Sequence, residues 1–163
     1  MTDSRSLSPE DLAHLRRCVE LAREALDDGD EPFGSILVDA SGAVRFEDRN
    51  RVKGGDHTLH PEFEIARWAA NHLTPAERAG STVYTSGEHC PMCSAAHAWV
   101  GLADIVYASS TEQLTAWLAE WDVPAGPVNP LPVEAVAPGI ATRGPAPELA
   151  DEVKTLQARL HGR

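Results

Sequence analysis

The stretch SGEHCPMCSAAHAW, residues 86–99, carries two of the chain's three cysteines, Cys90 and Cys93, three positions apart around a proline. An odd cysteine count argues against a disulfide framework. Pro91 suits the first position of a helix, which makes Cys90 the residue that caps it, behind a strand that ends near Thr85. Free backbone N–H groups and the helix dipole favour thiolate at such a place. A redox pair and a metal site both fit that reading, but two thiolates fill only half of the four places zinc usually takes.

Working outward, the run His60-Pro61-Glu62 repeats the arrangement. His60 also stands immediately before a proline at a helix start. In an open α/β sheet the strand–helix junctions gather along one edge, so His60 can converge with Cys90 and Cys93 on one ion. Three protein ligands leave one place for water, which is the catalytic rather than the structural arrangement. Glu62 is not needed as a ligand and is free to move protons beside that water.

The rest of the chain supplies a frame for these junctions. Ser8-Pro9 opens a helix whose apolar positions Leu12, Leu15, Val19, Ala22 and Leu26 recur at helical spacing. A hairpin follows, Ser35 to Asp39 and Val44 to Asp48, around the turn at Ser41-Gly42. A helix is expected over 61–72, a strand over 81–85, a helix over 91–101 and a strand over 104–108. Thr74 and Ser110 each begin a capping-box pattern. Val133 to Ala137 reads as the last strand, and a final helix opens at Pro147-Glu148. This alternation argues for an α/β layer fold with parallel strands.

The 163 residues suit one domain, 1–163, and the net charge of −11 disfavours broad binding to a phosphate backbone. The polar opening and the lack of a long apolar run predict neither a leader nor a membrane span, and a reducing, cytoplasmic setting.

Taken together, H-x-E as His60-Pro61-Glu62 and P-C-x-x-C around Cys90-Pro91-Met92-Cys93 resemble the zinc-dependent cytidine-deaminase-like superfamily. Pro32-Phe33-Gly34, Arg49-Asn50-Arg51-Val52 and the Glu88-x-Cys90 run are similar to its guanine deaminase, yeast-type cytosine deaminase and tRNA adenosine deaminase branch. The resemblance implies a three-layer α-β-α fold with a five-stranded mixed sheet and helices on both faces. It implies one Zn2+ per chain on His60, Cys90 and Cys93, with Glu62 as the catalytic proton shuttle. It also implies substrate contacts from Asn50, Phe33, Ser86 and Trp99, and a homodimer for which Trp117 and Trp121 offer apolar surface. The substrate expected is a free nucleobase or nucleoside, a guanine-type purine first and a cytosine-type pyrimidine as the alternative. A catalytically silent, zinc-stabilised partner subunit is the reading from another class, and the presence of Glu62 speaks against it. Two departures stand out: His89 precedes Cys90 where the family usually has proline, and Pro61 replaces the commoner alanine.

Overall fold

Helix starts in this protein are written in local polar chemistry. A computed structural model describes residues 6–163. In it, α1 (Pro9–Asp27), α3 (Pro75–Ala79) and α5 (Thr111–Glu120) each begin with a complete capping box, closed by Ser8 with Asp11, Thr74 with Glu77, and Ser110 with Gln113. The starts of α2 (Pro61–His72) and α4 (Pro91–Trp99) differ. Proline takes the first helical position in both, and the cap residues His60 and Cys90 make no side-chain capping bond. Those two side chains are therefore available for other work.

Five strands form one mixed sheet: β1 (Gly34–Val38), β2 (Val44–Arg49), β3 (Thr82–Gly87), β4 (Ile105–Ser109) and β5 (Thr142–Arg143), in the order β2-β1-β3-β4-β5. β1 runs antiparallel to both β2 and β3, whereas β3, β4 and β5 are parallel. The alternation of side chains along the strands divides the core in two. Ile36, Val38, Tyr84 and Val106 pack with α1 and with α7 (Pro147–Leu160) on one face. Leu37 and Val83 pack with Ile65, Ala69 and Leu73 of the α2 region on the other. Helices thus cover both faces, as the three-layer expectation requires. α1 lies so close to β1 that a Cβ on Gly34 would collide with Leu21 and with the backbone of Cys18 and Ala22.

Two expectations are corrected here. Val133 to Ala137 is not a strand: Val133–Val136 is a single helical turn, α6, and the fifth strand is Thr142–Arg143. Its β-branched residues suit a strand, but Ala137 N–H donates to the Val133 carbonyl at 2.7 Å, and Val133 N–H donates to the Glu88 carboxylate, not to a ladder. Trp117 offers no surface for a dimer, because it is buried in the core beside α1 and α7, with Trp121 packed against it.

One buried polar cluster ties the N-terminal helix to the sheet. The Asp11 carboxylate accepts from Ser8 N–H at 2.9 Å and Tyr84 O–H at 2.8 Å, and it pairs with Arg143. Burial pushes Asp11 up, but Arg143, Ser8 and Tyr84 outweigh it and hold its pKa down to about 2, from 3.8. A depressed carboxyl stabilises the fold above its unfolded pKa and loses that contribution as pH falls through the folded one. The Asp11 contribution is therefore complete above about pH 4 and fades towards about pH 2. Asp11→Asn should cost about 2 kcal/mol at neutral pH, read as a lower urea midpoint with an unchanged slope, and it should remove that part of the acid sensitivity.

Candidate metal centre

The two uncapped helix starts meet. His60 Nδ1 lies 3.5 Å from Cys90 Sγ and 3.6 Å from Cys93 Sγ. One donor atom from each residue can be chosen so that all three lie within 4.8 Å of one another, and no other such group occurs among the described residues. Zinc bonds of about 2.1 Å to nitrogen and 2.3 Å to sulfur, opened to a tetrahedral angle, separate N and S donors by about 3.6 Å. The donor set and its spacing therefore fit zinc, with one coordination place left over.

The protons at this place are divided unevenly. Hydrogen bonds from Cys93 and then His60 hold the Cys90 thiol down to about 4, against its burial. His60 is raised to about 9, first by its hydrogen bond to Cys90. Cys93 is pushed well above its usual range by its bond to Cys90 and by burial. The cluster thus favours the protonated forms of His60 and Cys93 and the thiolate of Cys90.

Glu62, in the first turn of α2, is buried beside these ligands, and burial raises its pKa. Two hydroxyls reach its Oε1 at 3.2 Å, Ser35 from β1 and Thr85 from β3. These two face each other across the β1–β3 ladder, with 2.9 Å between their oxygens. Neither was singled out from the sequence, although a hydroxyl inside each of the apolar runs GSILV and TVYT was the available signal.

The other expected contacts separate. Phe33 lines the same cavity as His60, Glu62 and Cys90, a pocket of about 190 Å³. Asn50 is buried and tied to Phe33 through its backbone N–H, which donates to the Phe33 carbonyl at 3.0 Å. Its side-chain carbonyl accepts from Glu31 and Val52 N–H, while Nδ2 is buried without a partner. Asn50 therefore has donors to offer and no acceptor. The Ser86 hydroxyl oxygen accepts from Gly34 N–H at 3.1 Å, and its carbonyl accepts from the Ser109 hydroxyl at 2.8 Å. Trp99 is not brought to the pocket: it ends α4 and is 89% exposed. Six residues along α4 from Cys93, about 1.7 turns, carry it away from the ligands.

His89 is no ligand here. It is buried, packs edge-on against His97 with ring centres 5.4 Å apart, and burial keeps its pKa well below the usual value. Glu88, to which no role was given from the sequence, lines the pocket as well.

The family model of the cytidine and deoxycytidylate deaminase zinc-binding region matches residues 8–109. The chain is 38% identical to a probable cytosine deaminase of Schizosaccharomyces pombe over 68% of its own length and 67% of that protein's. It is 36% identical to the guanine deaminase of Bacillus subtilis, over 58% of this chain and 62% of the relative. In fold it is similar to a guanine deaminase from Nitrosomonas europaea, with a TM-score of 0.70 at 24% identity, covering 99% of this chain and 90% of that one.

Purified protein should hold about one zinc per chain, and Cys90→Ala or Cys93→Ala should lose most of it by elemental analysis. Zinc takes neutral imidazole and thiolates, so binding at pH 7 should release about two protons, from His60 and Cys93. Calorimetry in buffers of different ionisation enthalpy reads that number. Affinity should climb as pH rises towards about 9, the value of His60; an affinity independent of pH contradicts the proton assignment.

Proposed function

The chain belongs to the zinc-dependent deaminases of the cytidine and deoxycytidylate family, and from that premise we propose that it hydrolytically deaminates a free nucleobase or nucleoside. The observation that carries this reading is Glu62, a buried carboxyl beside three zinc-type ligands that do not need it. His60, Cys90 and Cys93 would hold zinc, which would supply a Lewis acid beside the attacking water.

Glu62 takes the proton of the attacking water as the new C–O bond forms. It gives that proton to the ring nitrogen, then takes the second one from the new hydroxyl and gives it to the amine, so that the C–N bond breaks, ammonia leaves and the carbonyl forms. A carboxyl whose pKa is raised by burial is suited to this exchange near neutral pH. The Ser35 and Thr85 hydroxyls lie 3.2 Å from its Oε1, the Thr85 one also 2.8 Å from the Gly87 carbonyl, and they anchor the carboxyl to the sheet. The pocket that holds Glu62 together with His60 and Cys90 is about 190 Å³ and suits a small flat ring, and a further cavity of about 640 Å³ opens beside the same ligands. Leu114, Leu118 and Val128 give the Glu62 pocket apolar walls that limit water. Phe33 lines the pocket and can pack against the face of that ring, while Asn50, with its unpartnered Nδ2, is joined to the Phe33 carbonyl rather than to the pocket wall.

Guanine is the first ring to test. The exposed Trp99 removes one support for it, and the similarity to the fission-yeast relative makes cytosine the second reading. Ammonia release from the zinc-loaded protein should appear with guanine or cytosine; release from neither overturns the substrate class proposed. Glu62→Ala should keep the fold and the metal but lose on the order of a hundredfold or more in turnover. Glu64→Ala, which removes a carboxylate from the same helix, should stay near the parent rate. The opposite pattern would reject the role given to Glu62.

A further inference from the structure

The N-terminus of α5 stands between two cavities. Helix starts of this kind attract anions, because their N–H groups and dipole point outward. Here an anion is built into the chain. Glu88 Oε2 accepts from Thr111 N–H at 2.8 Å, and Oε1 accepts from Val133 N–H at 2.9 Å. The capping box of Ser110 and Gln113 takes the Gln113 N–H at the same helix end.

Glu88 lines the metal pocket and also a neighbouring cavity of about 600 Å³, and the two share Thr111, Thr115 and Pro130. A group attached to a ring in the pocket can extend into this annex past Thr111 and Thr115, or past His60 and Cys90 into a second cavity of about 640 Å³. The annex's remaining charged side chains are Glu112 and Glu134, and no Lys or Arg among the described residues lines it or the metal pocket. Hydroxyls of a sugar find acceptors and small polar side chains there. A phosphate finds three carboxylates and a helix start already filled.

We propose, resting on the deaminase reading above, that Glu88 is a specificity-determining residue: its carboxylate occupies the anion seat of α5 beside the metal pocket and so selects against phosphorylated substrates. Like charges brought close without a counter-ion repel, and specificity is often built by such an opposing element. The residue thus separates bases and nucleosides, which enter, from nucleotides, which do not.

The test follows the Thr111 amide by NMR while inorganic phosphate is added to the zinc-loaded protein. The parent protein should show no saturable shift. Glu88→Gln, which removes the charge at nearly constant size, should show one, and Glu88→Asp, which keeps it, should again show none. A shift in the parent or in Glu88→Asp, or no shift in Glu88→Gln, overturns the proposal. In parallel, a nucleoside monophosphate should inhibit the parent enzyme at least about tenfold more weakly than its nucleoside. Equal or stronger inhibition by the monophosphate also overturns the proposal, and this arm decides alone if Glu88→Gln does not fold. Should no heterocycle be deaminated at all, the deaminase reading fails while the phosphate titration still decides the role of Glu88.

Discussion

His60, Cys90 and Cys93 are pressed together at two helix starts, and without a cation their protons cannot all be placed comfortably. One thiol is driven to thiolate, its neighbour is held protonated, and the ring between them is charged. A divalent metal relieves that conflict by replacing two protons with one ion. The rest of the structure can be understood as what brings the three donors to one place. Pro91 and Pro61 start the helices, β3 leads into α4, the loop after β2 leads into α2, and the α2–α4 packing sets the distance between the two starts.

The same sheet edge supports the groups around the metal. Ser35 and Thr85 sit opposite each other in the ladder, so the point they offer to Glu62 is fixed by strand register rather than by a loop. Gly34 lets α1 lie against β1, and its N–H donates to the Ser86 hydroxyl, which joins β1 to the end of β3 just ahead of the cysteines. Glu88 carries that order further, tying the cysteine loop to α5 and α6 through two backbone N–H groups. A site built this way holds its side chains by secondary structure and buried hydrogen bonds, which suits a reaction that depends on proton transfer over short distances.

Local chemistry was legible in the sequence, and long-range ties were not. The capping boxes at Ser8, Thr74 and Ser110, and the prolines behind His60 and Cys90, act within a few residues and could be recognised there. The convergence of His60 with the cysteines was expected from two strand–helix junctions, but only α4 closely follows its strand; the loop over 50–60 after β2 brings His60 to the site. Val133 was misread because its strand-like residues are overruled by Glu88, 45 positions earlier. Trp99 and Trp117 share a residue type and a helical setting, yet one faces solvent and the other fills the core. Only tertiary packing separates them. Asn50 was recognised as a polar contact, but which half of its amide is available depends on Glu31 and Val52 taking the oxygen.

The central claim is a three-ligand zinc with a fourth place kept for water, served by Glu62. X-ray absorption at the zinc edge of the purified protein reads that shell directly. The account predicts two sulfurs at about 2.3 Å and two lighter neighbours, one imidazole nitrogen and one oxygen, at about 2.0–2.1 Å. In Glu62→Ala the same shell should persist, since the carboxylate is not a ligand. A shell closed by a fourth protein ligand, or one that loses an oxygen neighbour when Glu62 is removed, contradicts it.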